Sequence, residues 1–396
     1  MRWDNLTIDA EERTRLPGYR DAAVVRHFDA PEALDVRFYE VRAKSALNRV
    51  PERSRMPFRW TINPYRGCSH ACVYCFARPT HTYLDMDAGR DFEREIVVKV
   101  NAPEVLRTEL GRASWKGEHV AMGTNTDPYQ WVEGRYKLMR GIWEALRDFA
   151  NPCSVLTKSP LLLRDLDLLR EIAGVTEVHA NLSIPTMDEK PWRASEPHTP
   201  SPRARMEAVA ELNRAGIPAG ILVAPLMPGI NDDPKQVERI LEAAGEAGAT
   251  GVSGIALHLR GEVRGIYMEW LRAYRPDLVP RYEALYARGA YAPREEQDRL
   301  RRLLRTTHVR TGHEPPRRSP ADTRGVLRAP AERPAERRGE PSREAMAGAI
   351  GLFRGDGPVG AAEGGARERF AAAEPFRRER APERPRPRPG RQEALF

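Results

Sequence analysis

Residues 67–81 read GCSHACVYCFARPTH, which sets Cys68, Cys72 and Cys75 within eight positions of a 396-residue chain that holds four cysteines in all. Loops this short remove little entropy from the unfolded chain, so the cysteines make a poor disulfide framework and a loop of reduced, metal-bearing thiols is expected. The spacing C-x3-C-x2-C suits three thiolates that each take one iron of a four-iron, four-sulfur cube, because cysteine thiolate is the usual ligand of such clusters. One iron then lacks a protein ligand, and catalytic metal sites keep a free position of that kind whereas structural ones are closed. The alternative from the residues alone is a zinc site completed by His70, His81 or Cys153. Zinc sites favour paired C-x2-C units set well apart, and the chain has one such pair.

Working outward, WTINPYRG (60–67) leads into the loop, and HVAMGT (119–124), CSVLTKS (153–159), VTEVHANLSI (175–184), AGILVAPLM (219–227) and VSGIALHL (252–259) follow it. Segments of helical period lie between them, among them RYKLMRGIWEALRDF and SPRARMEAVAELNRAG. The second opens on Ser201-Pro202 and closes on Gly216, as helix start and stop chemistry requires. Six strands, each followed by a helix, predict a parallel sheet with right-handed crossovers. Curled up, that sheet is an α/β partial barrel with ligands expected at the C-terminal ends of its strands, where the motifs fall. Spacing alone leaves a doubly wound open sheet as the alternative topology.

The chain carries a formal +8, but residues 313–396 hold 18 Arg, no Lys and 13 Asp plus Glu, hence +5 of that charge, together with 12 of the 34 prolines. Such a segment has too little apolar surface to offset its ordering entropy and is expected to be disordered. The remainder carries only +3, which weakens any reading of it as a strongly basic nucleic-acid surface. No run of eighteen apolar residues occurs, and MRWDNLTIDAEERTR is charged from the start, unlike a secretory signal. A cytoplasmic protein with no membrane partner is expected. The reading divides the chain into an N-terminal extension (1–50), a core domain with a helical C-terminal part (51–312) and the Arg/Pro-rich tail (313–396).

The C-x3-C-x2-C loop, with Tyr74 before its third cysteine, resembles the signature of radical S-adenosylmethionine (SAM) enzymes. The resemblance implies a partial (β/α)6 barrel and a [4Fe–4S] cluster on Cys68, Cys72 and Cys75. It further implies that the open iron binds the amino and carboxylate groups of SAM. One-electron reduction, with flavodoxin or ferredoxin as donor, then releases a 5′-deoxyadenosyl radical that abstracts a hydrogen atom from a substrate. NPYRGCSHACVYCFAR, GTNTDPYQ, LTKSP, LSIPT, EPHTPSP and ILVAPLMPGIND, taken in order, are similar to the spore photoproduct lyase-like (DNA repair photolyase-like) subgroup. They cover roughly residues 38–260 and point to a nucleic-acid lesion as substrate. Radical modification of a protein, peptide or small molecule is the other enzymatic reading, and a non-catalytic iron–sulfur module that binds nucleic acid or senses redox state is the competing class.

By the same resemblance Lys158 in LTKSP reaches the SAM carboxylate, which suits a compact ammonium on a flexible stem. Ser183 in NLSIP faces the ribose, with Asn181 on the same strand face as the alternative. Ala224 in VAPLMPG packs near the adenine, and Tyr74 and Phe76 shield the cluster or line that site. Asp127, after the second strand, accepts a hydrogen bond from the SAM amine or caps the next helix. Tyr129, Gln130, Glu196, His198, His258 and Arg260 are expected around the cavity with no assigned step. The pattern departs from the subgroup in one place. Spore photoproduct lyases carry a hydrogen-donating cysteine after the second strand, where this chain reads AMGTNTD. That counts against repair of the spore-specific thymine lesion and leaves Tyr129, SAM itself or an external reductant to quench a substrate radical. Cys153 opens the third strand and reads as a small buried apolar residue. The chain ends RQEALF, where Gln392, Leu395 and Phe396 resemble the bacterial sliding-clamp-binding peptide.

Overall fold

The structure, a computed structural model, describes residues 8–28, 35–52, 54 and 56–310. The Arg/Pro-rich tail, with Gln392, Leu395 and Phe396, lies outside the described residues. In chain order the strands are β1 (Ile8–Thr14), β2 (Ala23–Phe28), β3 (Arg37–Val41), β4 (Leu47–Arg49), β5 (Trp60–Ile62) and β6 (Tyr65–Arg66). They continue as β7 (Glu95–Lys99), β8 (Val120–Met122), β9 (Cys153–Thr157), β10 (Val178–Ser183), β11 (Ala219–Leu226) and β12 (Val252–Ala256).

Seven of these strands form the main sheet in the order β12-β11-β10-β9-β8-β5-β4. Every neighbouring pair from β5 through β12 is parallel, and β4 pairs antiparallel with β5. Each of the six stretches expected to be strands supplies one of the parallel members. Their spatial order follows their sequence order without reversal, whereas a doubly wound sheet reverses at a switch point. The sheet ends on unpaired β12 and β4 rather than closing, so the architecture is an α/β partial barrel of six parallel strands.

Alternation along the strands separates two faces. Val178, Ala180 and Leu182 of β10 and Ala219, Ile221 and Val223 of β11 join the main apolar core. Asn181 and Ser183 fall on the other, concave face. The core is completed by helical residues at three- and four-residue spacing: Ile142, Trp143 and Leu146; Leu168, Leu169 and Ile172; Val237, Ile240 and Leu241. Each such buried side chain contributes about 1.5–3 kcal/mol, and this packing holds the strand ends in place. The helix Pro202–Arg214 begins where its cap predicts, with Ser201 Oγ accepting from the Ala204 N–H at 3.2 Å. Among the described residues no helix is long and apolar enough to cross a membrane.

A second, five-stranded sheet runs β1-β2-β3-β7-β6. It was not expected, because its parallel β3–β7 pairing joins residues 37–41 to 95–99, a contact no local pattern announces. Glu95 of β7 secures it by accepting from Arg37 Nη2 at 2.7 Å and from the Tyr39 hydroxyl at 2.8 Å. This sheet aims the cysteine loop. After β5 the chain leaves the barrel, pairs as β6 against β7, and turns directly into Gly67-Cys68. Gly67 has φ +79°, and a Cβ there would lie 2.9 Å from both His81 and Ile96, so only glycine fits this turn.

Candidate active site at the cysteine loop

The loop is a series of tight turns. Ala71 N–H donates to the Cys68 carbonyl (3.3 Å), Cys75 N–H to the Cys72 carbonyl (3.2 Å) and Arg78 N–H to the Cys75 carbonyl (3.3 Å). The loop is fastened from three directions. Cys68 N–H donates to the Phe92 carbonyl at 2.9 Å, and Val73 N–H to the Ser195 carbonyl at 3.1 Å. Gln130 grips the start of the loop, accepting from Ser69 N–H at 3.0 Å and donating to the Gly67 carbonyl at 3.2 Å. Beneath the loop lies Arg78, whose side chain is 1% exposed and donates to the carbonyls of Cys72 (3.0 Å), Ala71 (3.1 Å), Ala88 (3.1 Å) and Gly89 (2.9 Å) while pairing with Glu93. A fixed planar fork with five donors is suited to this work, and a lysine is not.

Cys68 and Cys72 are buried and Cys75 is partly so. Burial pushes all three thiols up, Cys72 to about 12, and the neighbouring thiols add to the rise at Cys68 and Cys72. The bare loop therefore holds protonated thiols, and metal loading releases protons. Each histidine of the zinc alternative has one ring nitrogen turned to another group, and the convergence of the donors decides the matter. His81 Nε2 contacts the Glu95 carbonyl at 2.9 Å, and His70 Nδ1 faces Asp127 at 3.4 Å. Cys153 is fully buried at the start of β9, in the core, at the opposite end of the strand from the loop. Among the described residues no three His, Cys, Asp or Glu side chains converge on one ion. A single zinc needs that convergence, whereas a cube hangs each thiolate on its own iron. The donor set fits a four-iron cluster.

Beside the loop, the strand ends carry a buried polar network. Lys158 Nζ donates to Ser183 Oγ at 2.6 Å and pairs with Glu196 Oε1 at 3.0 Å. Its ammonium stands 5.7 Å from the centroid of the Tyr74 ring. Ser183 Oγ in turn donates to the Ala224 carbonyl at 3.2 Å. Glu196 also accepts from the Tyr74 hydroxyl, and its second oxygen takes Arg205 Nη2 at 2.6 Å. Arg205 binds the carbonyls of Pro200 (2.9 Å) and Ser183 (2.8 Å) as well. Burial alone would push the Glu196 carboxyl up, but Arg205, Lys158 and the Tyr74 hydroxyl outweigh it and bring it to about 2. Tyr74 goes the other way, well above its usual range, through burial and then the Glu196 charge. The network thus sets two cations and a neutral phenol around one carboxylate, next to Cys72.

Of the residues singled out in the sequence, Lys158, Ser183, Ala224 and Tyr74 come together in this network. Asn181 lies one inward-facing position deeper on β10, and a Cβ on Gly220 would come within 2.9 Å of its Oδ1. Asp127 accepts from Thr157 Oγ1 (2.6 Å), Lys158 N–H (2.7 Å) and Tyr129 N–H (2.9 Å), the last closing a local Asx turn. Burial alone would push the Asp127 carboxyl up, but His70, the Thr157 hydroxyl and the Lys158 N–H outweigh it and bring it to about 2. Two expectations require correction. Tyr129 does not face the cavity: it is fully buried in the core, where its hydroxyl donates to Asp165 at 2.9 Å and accepts from Trp143 Nε1 at 2.6 Å. It is not placed to quench a radical inside the barrel. Gln130 likewise turns to the loop backbone rather than to a ligand. His198 is exposed, and His258 and Arg260 follow β12.

Arg78 and Arg205 escaped the sequence reading. For Arg205 a signal existed: it sits on the buried stripe of its helix with Pro202, Met206, Val209 and Leu212, a position where a guanidinium needs a buried partner. Arg78 gives no comparable sign.

The family model described as the Radical SAM superfamily matches residues 62–244. Uncharacterized proteins of Mycobacterium tuberculosis and Mycobacterium bovis are 45% identical over 335 residues, covering 83% of this chain and 98% of theirs. A radical SAM Nalpha-GlyT isomerase of Pseudomonas phage M6 is 25% identical over 234 residues, 58% of this chain and 46% of the phage protein. Among solved structures, spore photoproduct lyase complexed with dinucleoside spore photoproduct superposes with a TM-score of 0.52 at 16% identity, over 69% of this chain and 79% of that one. The chain belongs to the radical SAM superfamily. Its fold is similar to that of spore photoproduct lyase, and membership implies an iron–sulfur cluster and SAM.

Proposed function

We propose that this chain is an enzyme that carries a [4Fe–4S] cluster on Cys68, Cys72 and Cys75, binds SAM beside it, and abstracts a hydrogen atom from a modified base of a nucleic acid. The observation that carries the chemistry is the three-thiol loop at the C-terminal ends of the parallel barrel, with the Lys158–Glu196–Arg205 network against it. When bound, cluster and SAM supply a 5′-deoxyadenosyl radical by one-electron cleavage of the sulfonium. The protein's part is placement. Lys158 retains a donor beyond those directed at Ser183 and Glu196, and it offers this to the SAM carboxylate. Ser183 and Asn181 present polar atoms to the ribose, and Ala224 leaves the strand end open to the adenine. Asp127 supports the site from behind by holding the Lys158 backbone.

For the substrate, support comes from the similar fold of spore photoproduct lyase, which is complexed with dinucleoside spore photoproduct. The AMGTNTD segment has no cysteine, so the product radical is quenched differently from that lyase's. Flavodoxin or ferredoxin delivers the electron, and Gln392, Leu395 and Phe396 dock a sliding clamp.

Anaerobic reconstitution with iron, sulfide, SAM and dithionite tests the chemistry. 5′-Deoxyadenosine should accumulate, and alanine at Cys68, Cys72 or Cys75 should abolish it. A cluster that forms but yields no 5′-deoxyadenosine makes the chain a non-catalytic iron–sulfur module instead. Deuterium transfer into 5′-deoxyadenosine from labelled candidate substrates identifies the substrate class. A clamp pulldown unaffected by deletion of residues 392–396 removes the clamp from the proposal.

A further inference from the structure

Just beyond β12 an isolated antiparallel bridge joins His258 to Tyr291, and Leu259 N–H donates to the Ala290 carbonyl at 2.8 Å. This brings the His258 imidazole onto the Tyr291 ring, with centroids 5.6 Å apart and planes at 27°. On its other side His258 meets Phe76, at 6.0 Å and 36°. Arg260 completes the row, its guanidinium carbon 5.0 Å from the Tyr291 centroid. Phe76 directly follows Cys75, so the row begins at the cysteine loop.

The outer members are open to solvent: Phe76 is 52% and Tyr291 50% exposed. Single exposed apolar side chains are ordinary and need no explanation. Here the exposed groups are two aromatic side chains joined through a histidine in one row that ends on a cation. Among the described residues no carboxylate pairs with Arg260, while Arg275, Arg281 and Arg299 each pair with at least one. A π-faced row with an unneutralised guanidinium matches a planar base attached to a phosphate: the ring stacks and the cation meets the anion. An aliphatic or acidic peptide partner would make poor use of the ring faces.

We infer that Phe76, His258, Tyr291 and Arg260 form a stacking platform for single-stranded or unstacked nucleic acid. A base lies against the ring row and the adjoining phosphate against Arg260. This rests on the proposed nucleic-acid substrate and assigns the surface that receives it. The platform holds the strand at the rim while the reacting nucleotide enters the barrel. It also predicts selectivity for an unpaired strand, since a paired and stacked duplex has no free face to offer.

The test is fluorescence anisotropy on the anaerobically reconstituted holoenzyme with a labelled single-stranded oligodeoxynucleotide of roughly 16 nucleotides. Variants are first matched to the parent for iron content and circular dichroism. Tyr291→Ala should weaken binding roughly 5- to 100-fold while Tyr291→Phe retains it, because stacking needs the ring and not the hydroxyl. Arg260→Ala should weaken binding and flatten the slope of log K against log salt by about 0.7. If the parent binds neither single strand nor duplex, the nucleic-acid reading of the substrate falls and this inference with it. If the parent binds the single strand and Tyr291→Ala and Arg260→Ala bind it equally well, only the platform is overturned. If those variants lose SAM affinity by calorimetry and keep oligonucleotide affinity, the row belongs to the adenine site and the inference is wrong.

Discussion

Replacing Glu196 with Gln removes one charge and keeps the shape. The structure fixes what should follow. Glu196 and Arg205 are both 0% exposed at the side chain and Lys158 is 14% exposed, so Arg205 cannot exchange its partner for water. Leaving a buried charge without its counter-ion costs about 3–5 kcal/mol. A second route gives the same size: the Glu196 carboxyl falls from 4.5 to about 2 on folding, and a shift of that extent is worth about 3 kcal/mol. The folded value is depressed, so this stability is fully present above the ordinary carboxylate range. It is lost as pH falls toward 2. For a domain of this size the loss corresponds to roughly 6–10 °C in apparent Tm. Thermal melts followed by circular dichroism at neutral pH, on parent and Glu196→Gln protein at equal iron content, measure it. The same pair compared toward pH 3 should converge, because between 4.5 and 2 the unfolded parent chain takes up a proton on this carboxyl that the folded one still excludes. A fall of less than about 2 °C at neutral pH, or a difference that does not narrow with acid, would mean that the network stabilises nothing.

Arg78→Lys keeps the charge but cannot reach the carbonyls of Ala71, Cys72, Ala88 and Gly89 together. Each buried acceptor left unpaired costs about 1–3 kcal/mol, so iron and sulfide per chain should fall well below the parent value. Gly123→Ala places a Cβ 1.7 Å from the Leu156 carbonyl oxygen at φ +75°; a loss of more than about 2 kcal/mol is expected, read as a collapse in soluble yield or in urea midpoint. Cys153→Ala should leave iron content unchanged and cost only about 1 kcal/mol, and iron lost from this variant would reopen the zinc alternative.

The legible and illegible parts of this molecule divide by the range of the contacts involved. The six parallel strands and the helix Pro202–Arg214 are local statements: period, cap and terminating glycine are written within a few residues of one another. The strand order follows from them because sequential strands linked by helices neighbour in space. Lys158, Ser183 and Ala224 were equally legible, since all three lie at strand ends whose common edge the parallel arrangement dictates. The second sheet was not, because β3 and β7 are separated by more than fifty residues that include the cysteine loop itself. Tyr129 was misplaced for a related reason. The segment 124–130 leaves the barrel rim, and whether a side chain there turns to the lumen or to the helices depends on Asp165 and Trp143, which sequence does not bring near.

The same division explains how the cysteine loop is held. Three thiols close together, deprotonated to receive a cluster, repel one another and resist burial, so a loop that carries them needs support it cannot generate locally. That support comes from distant parts of the chain. Gln130 and Phe92 hold its start, Ser195 its middle, and Arg78 its underside, while Tyr74 ties it to the carboxylate that also holds Lys158. Glu196 is therefore common to the cluster loop, the strand-end cation and the helix bearing Arg205. A shift in any one of these elements is transmitted to the others through that carboxylate. The five-stranded sheet sets where the loop begins, and the Glu196 network sets where it faces.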